Sequence, residues 1–93
     1  MLLEMEKEDI LTQPEWDRVV HSLTLAPRQA DITWQLLRGC GDKEIARNLG
    51  ITVPTVRTHL SRLFSRLKLQ GRYELILRVV MLVRGAKEAV AVC

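Results

Sequence analysis

Residues 55–72, TVRTHLSRLFSRLKLQGR, carry charge of one sign. The stretch contains four arginines, one lysine and one histidine, and it contains no aspartate or glutamate. Guanidinium and ammonium groups neutralise phosphates, and short side chains between them let a helix backbone approach the edges of bases. The residue types therefore predict a surface that binds a polyanion, and double-stranded DNA fits this mixture of arginine, threonine and serine.

The same stretch has the apolar period of an α-helix. At about 100° per residue, one side forms an inner stripe: Val56, Leu60, Leu63 and Leu67. The other side presents hydroxyls fringed by cations: Thr55, Arg57, Thr58, Ser61, Arg62, Ser65 and Arg66. A helix that only faces water gains from acids and bases three or four residues apart, and this one forgoes such pairs. The pattern favours DNA binding, with a solvated basic helix as the alternative.

The sequence supplies little for other chemistry. Cys40 and Cys93, with two well-separated histidines, do not have the spacing of a structural zinc site. No nucleophile, base and orienting group cluster, and there is no phosphate-binding glycine loop, so we do not predict an enzyme. We expect no metal, no cofactor and no small-molecule ligand.

Charge is divided unevenly along the chain. Residues 1–24 carry a net charge of −4 and residues 25–93 carry +7, which favours a polyanionic partner. The acidic N-terminus is not a signal peptide, and the longest apolar run, 79–83, is far shorter than the roughly 20 residues that span a bilayer. We expect a cytoplasmic protein without membrane contact.

Turn signals divide the chain into short helices, and no segment alternates as a strand does, so the predicted fold class is all-α. Thr12, Pro14 and Glu15 have the pattern of a helix start. We expect four parts: a loosely ordered acidic lead over 1–11, an N-terminal helix extension over 12–24, a four-helix domain over 25–86 and a tail over 87–93.

Two central helices form a helix-turn-helix pattern. The short helix KEIARNL is followed by the turn GIT and then by the basic helix, predicted over 54–67. Gly50 ends the first helix, Thr52 caps the second, and the small Ala46 lets the two approach closely. In this geometry the second helix enters the major groove and the first crosses the DNA backbone.

The run LAPRQADI…LLRGCGDKEIARNLGITVPTVRTHLSRLFSRLKLQGRYELILR resembles the LuxR/GerE-type helix-turn-helix domain of bacterial transcription regulators. The likeness covers residues 25–80, with KEIA, LGI, TVRTHL and YEL at the family's spacings. Sigma-factor region 4 has a similar pattern, but His59-Leu60 and the short break before a fourth helix favour the LuxR/GerE type. The resemblance implies a DNA-binding regulator whose fourth helix often pairs two protomers.

Residue roles follow from the resemblance and from the helix-turn-helix geometry. The predicted base-facing residues are Arg57, Thr58 and Ser61. The predicted phosphate contacts are Lys43, Thr52, Thr55, Arg62 and Arg66. His59 is expected to brace the domain or touch the DNA backbone. Three positions depart from the family's usual residues. Ala26 occupies the position of a Ser or Thr cap, Ser61 that of a longer polar or basic side chain, and Trp34 that of a polar residue.

Two apolar surfaces are left over. The last helix, predicted over 72–85, is apolar over a wide arc, and its core side is expected to hold Leu75, Val79 and Leu82. A monomer rarely leaves the rest of such a patch in water, so we predict a homodimer through Ile76, Val80 and Val83, with burial by the N-terminal segment as the alternative. A second stripe with Trp34 is expected to pack on the N-terminal helix and its Trp16, or else to close a surface that contacts a regulatory domain.

Two functions from different classes remain. The first is a stand-alone, sequence-specific regulator that binds double-stranded DNA as a dimer; the 24 residues before the domain are too few for a receiver or ligand-binding domain. The second is a protein-interaction helix-turn-helix module that binds RNA polymerase, a sigma factor or another regulator. The basic helix favours the first, whereas the apolar last helix and the acidic lead are compatible with the second.

Overall fold

The computed structural model describes residues 11–92 of the chain, with side chains described through residue 85. Five helices follow one another: α1 (Gln13–Leu23), α2 (Pro27–Leu37), α3 (Asp42–Leu49), α4 (Val53–Leu67) and α5 (Arg72–Val92). No strand occurs within this range, and the all-α prediction is confirmed.

The start of α1 is fixed by a reciprocal pair of hydrogen bonds. The backbone N–H of Glu15 donates to Thr12 Oγ1 at 3.3 Å, and the backbone N–H of Thr12 donates to Glu15 Oε1 at 2.9 Å. Such a capping box satisfies two of the donors that a helix end leaves unpaired. The predicted helix start is therefore confirmed.

The start of α2 shows how the chain manages without a capping hydroxyl. Ala26 has no side-chain oxygen to offer, but its own backbone N–H donates to Gln29 Oε1 at 3.1 Å. Half of a capping box is thus kept, and Pro27 has no N–H that would need a partner. The departure at Ala26 is partly offset by Gln29.

The turn between α3 and α4 sets the angle of the helix-turn-helix pair. Gly50 adopts φ 69°, a left-handed conformation that glycine reaches without strain. The N–H of Ile51 then returns to the carbonyl of Ala46 at 3.0 Å, and the N–H of Thr55 donates to Thr52 Oγ1 at 3.3 Å. These bonds close α3 and open α4 within three residues, and Ala46 is buried in the core.

One core joins all five helices. Its buried apolar residues are Val19, Leu23, Leu25, Ile32, Leu36, Ile45, Ala46, Val56, Leu60, Leu63, Leu75, Val79 and Val83. The N-terminal helix belongs to it, because α1 packs against α5 and the rings of Trp16 and Trp34 meet edge to face at 5.0 Å. The prediction that Trp34 packs on the N-terminal helix is confirmed.

The last helix differs from its prediction in two respects. It continues to Val92, so the backbone of the predicted tail is helical as far as that residue. Val83 is 7% exposed and belongs to the core, so its assignment to a dimer surface is wrong. Leu75, Val79 and Val83 recur every four residues and lie on one side of the helix, which α1 helps to cover. Leu82 is half-buried at the edge of the core.

The predicted acidic lead lies outside the described residues except for Leu11, which packs against the core. Within the part of the chain that the structure describes, no helix is both long enough and apolar enough to cross a bilayer.

Candidate nucleic-acid interface

The outer face of α4 is built by the burial of its inner face. Val56, Leu60 and Leu63 are at most 3% exposed and lock the rotation of the helix. That rotation leaves the basic and hydroxyl positions in solvent: Arg57, Thr58, Ser61, Arg62, Ser65 and Arg66. The structure thus brings the three predicted base-facing residues to one exposed side, with Arg62 beside them. His59 is half-buried, at the border between this side and the core.

The first turn of α4 uses its hydroxyls for the helix itself. Thr52 Oγ1 caps the N–H of Thr55, and the two hydroxyl oxygens lie 2.8 Å apart in a shared hydrogen bond. Pro54 contributes no N–H. Thr52 and Thr55 therefore rigidify the start of the helix, and their contact with phosphate stays a prediction.

Asp42 forms a cluster with two arginines that sequence reasoning missed. Its Oδ2 accepts a hydrogen bond from Arg57 Nε at 3.0 Å, and its Oδ1 accepts one from Arg72 Nη1 at 2.8 Å. The Asp42 side chain is 15% exposed, whereas that of Arg57 is 68% exposed. The cluster ties the first residue of α3 to the outer face of α4 and to the first residue of α5.

The arginines control the charge of this carboxyl. The hydrogen bond from Arg72, with that from Arg57 and the two positive charges, lowers the pKa of Asp42 below its ordinary 3.8, although burial acts in the opposite direction. Asp42 is therefore ionised at neutral pH. No spacing rule indicates the cluster, because its partners lie 15 and 30 residues away in sequence.

Arg66 makes contacts within the protein that sequence reasoning missed. Its guanidinium donates to the carbonyls of Leu23 at 2.9 Å and Thr24 at 3.0 Å, and to Gln29 Oε1 at 3.1 Å. These groups are the end of α1 and the start of α2, where a cation also meets the negative end of the α1 dipole. The protein thus uses three of the five N–H donors of Arg66, and its contact with a DNA phosphate stays a prediction.

Lys43 lies exposed on the first turn of α3, next to Asp42 in sequence. Its position at the end of α3 that carries the cluster is compatible with a backbone contact beside the outer face of α4. Cys40 is half-buried, and burial together with nearby Glu44 raises the pKa of its thiol. A protonated thiol is a poor nucleophile and a poor metal ligand.

Known proteins are similar to the part of the chain that contains the helix-turn-helix pair. The family model "Bacterial regulatory proteins, luxR family" matches residues 23–79. The nitrate/nitrite response regulator protein NarL of Escherichia coli K12 is 40% identical over 58 residues, which cover 62% of this chain and 26% of that protein. The putative HTH-type transcriptional regulator YhjB of the same strain is 39% identical over 64 residues, 69% of this chain and 32% of that protein.

A third relative, the monoamine regulon transcriptional regulator of Klebsiella aerogenes, is 35% identical over 57 residues, 61% of this chain and 25% of that protein. The chain thus spans about a quarter to a third of the length of the relatives it matches. No solved structure matches it. The family is one of regulators and not of enzymes, and its match begins inside α1 and runs through the helix-turn-helix pair into α5. The chain belongs to the luxR family of bacterial regulatory proteins and carries the helix-turn-helix DNA-binding domain of that family.

Proposed function

We propose that this chain regulates transcription by sequence-specific binding of double-stranded DNA, with α4 in the major groove and α3 across the backbone. The observation that carries the proposal is the composition of the exposed side of α4. That side is basic and hydroxyl-bearing, and the whole helix contains no acid. Family membership supports DNA binding, and the helix-turn-helix geometry supports the orientation.

Base recognition is proposed for Arg57, Thr58 and Ser61. An arginine can donate two hydrogen bonds to guanine, and short hydroxyl side chains allow the helix to approach the base edges. Lys43 and Arg62 are proposed to hold phosphates on either side of them. Such contacts set the position of the protein on the duplex and carry no sequence information by themselves.

The experiment is a selection from random-sequence duplexes, followed by binding of the enriched duplex and of a random duplex over a salt series. We expect a clear preference for the enriched duplex and an affinity that falls steeply with salt. Failure to enrich any sequence would remove sequence-specific binding from the proposal.

Lys43→Ala tests the proposed backbone contact. It should weaken binding to both duplexes to a similar degree and reduce the slope of log affinity against log salt by about one. The matched control is Arg18→Ala, which removes the same charge from an exposed position on α1. An unchanged slope in Lys43→Ala would place Lys43 outside the interface.

A homodimer is proposed through an apolar stripe on α5. Tyr73, Leu77, Val80 and Met81 are 81%, 54%, 40% and 66% exposed, and their spacing puts them on one side of the helix. Half-buried Ile76 borders this stripe, whereas Val83 does not belong to it. Two such stripes related by a two-fold axis would bury each other and present two copies of α4 to successive major grooves.

Val80→Glu tests the homodimer, because it would place two like charges near the two-fold axis. Sedimentation velocity over a concentration series should show a weak dimer for the wild type and a monomer for the variant, with circular dichroism confirming the fold. Ser22→Glu adds the same charge to an exposed position on α1 and should leave the dimer unchanged. A wild type that stays monomeric at high concentration and on the enriched duplex would refute the homodimer.

The same stripe is the observation that favours the alternative function. A helix-turn-helix module can use such a surface to bind RNA polymerase, a sigma factor or another regulator. A chain that leaves a duplex-DNA column at low salt and stays monomeric would support that alternative over the DNA-binding dimer.

A further inference from the structure

The proposed DNA contacts do not by themselves explain why an acid lies in the cluster at Asp42. A carboxylate on the α3–α4 side of a DNA-binding domain repels phosphate, yet this one is 15% exposed and held at two oxygens. The bonds run in two directions, to Arg57 of α4 and to Arg72 of α5. Three helices therefore meet at one ionised group.

The atoms used by the bond to Arg57 decide what is left for DNA. Asp42 engages Nε, the nitrogen nearest the aliphatic stem, at 3.0 Å. The two terminal amino groups carry four further N–H donors, and the side chain as a whole is 68% exposed. A guanidinium is planar, so a hydrogen bond at Nε restricts the directions in which the terminal groups can point.

We propose that Asp42 is a positioning residue that aims the guanidinium of Arg57 at a base, with Arg72 holding Asp42 in place. The inference rests on the proposed function and extends it, because part of the sequence specificity then depends on an acid in α3. Without the carboxylate, Arg57 is free to turn toward either neighbouring phosphate. It would keep its charge and lose its preference for one base pair.

Two other effects of the carboxylate give different results. If Asp42 only lowers the local positive potential, then its removal strengthens binding to every duplex by the same factor. If Asp42 instead withholds Arg57 from DNA, then its removal strengthens binding to the preferred duplex most. Positioning predicts the opposite of the second effect: the preference for the enriched duplex falls, while binding to random duplex is kept or increased.

The test compares Asp42→Asn with the wild type on the duplex enriched by the wild type and on a random duplex of equal length. Asparagine has nearly the same shape and removes the charge. The ratio compared is the dissociation constant for the random duplex divided by that for the enriched duplex. This ratio should fall by about 5-fold or more, the lower end of what a bidentate base contact contributes. Glu44→Gln is the matched control, since it removes the same charge from an exposed position on the same helix and should leave the ratio unchanged.

A double-mutant cycle separates positioning from a general structural effect. In an Arg57→Ala background, Asp42→Asn should no longer change the ratio, because the side chain that it positions is absent. Arg72→Gln removes the other anchor and should lower the ratio by a smaller factor. This variant also decides the question if Asp42→Asn does not fold by circular dichroism.

An unchanged or increased ratio in folded Asp42→Asn would overturn the inference, as would an equal loss in the presence and absence of Arg57. These results are distinct from failure of the proposed function. In that case the wild type itself would enrich no duplex.

Discussion

Arg57 and Arg66 lie on the same basic helix but differ in how many hydrogen bonds they make to the rest of the protein. Arg57, near the start of α4, has a side chain that is 68% exposed and contacts the protein through Nε. Arg66, near the end, donates three hydrogen bonds to the α1–α2 junction. The first half of α4 is thus proposed to face DNA, whereas its end holds the domain together. A run of like charges favours an interface on a helix, but the protein contacts of each cation depend on its tertiary neighbours.

Arg57→Ala should give the largest effect on DNA binding. Affinity for the enriched duplex should fall by about 1–3 kcal/mol, the amount expected for a bidentate contact with a base, and affinity for random duplex should fall less. The free energy of unfolding in urea should fall by no more than about 1 kcal/mol, since the ion pair with Asp42 has a mostly exposed arginine. Equal losses on both duplexes would assign Arg57 to phosphate.

Arg66→Ala should give the reverse result. Its loss leaves two backbone carbonyls and Gln29 without a charged donor, and unfolding free energy in urea should fall by about 1–2 kcal/mol. The ratio of the dissociation constants for enriched and random duplexes should not change in the folded variant. Arg66→Lys keeps the charge but loses the two terminal nitrogens of the guanidinium, so a stability between those of wild type and Arg66→Ala is expected. A lower ratio with unchanged stability would contradict this role.

Arg62 lies between Arg57 and Arg66 on α4. Arg62→Ala should change DNA affinity less than Arg57→Ala does, and stability less than Arg66→Ala does. Its exposed side chain is proposed to neutralise one phosphate, so binding to all duplexes should weaken modestly and the salt slope should fall by about one. Titrations of both duplexes over a salt series measure this. A loss confined to the enriched duplex would move Arg62 into the base-reading set.

Lowering the pH should reduce the stability of the fold through protonation of Asp42, the partner of Arg57. The pKa of this carboxyl is lowered in the folded protein, first by Arg72 and also by Arg57. Its ionised form therefore stabilises the fold above its unfolded pKa, and this contribution is lost as the pH falls through the lower folded value. The difference in unfolding free energy between wild type and Asp42→Asn should be largest near neutral pH and should shrink below about pH 4. A constant difference would mean that ionisation of Asp42 does not stabilise the fold.

Much of this molecule is determined by local sequence. The capping box at Thr12, the helix-turn-helix turn at Gly50 and the buried stripe of α4 follow from hydrogen bonds and periodicities within a few residues. The sequence predicted them, and the structure confirms them. The packing of Trp34 on the N-terminal helix could also be predicted from the sequence, because each tryptophan lies on an apolar stripe that needs a partner.

Tertiary structure decided the assignments that sequence reasoning missed or misplaced. Val83 belongs to the core because other helices, α1 among them, cover one side of α5, which a wide apolar arc alone could not indicate. Arg66 reaches carbonyls 42 and 43 residues away, and Asp42 pairs with arginines 15 and 30 residues away. A periodicity fixes which way a side chain points along its own helix. The group that it meets there depends on how distant helices pack, and for these cations and this acid that packing determined the hydrogen-bond partners.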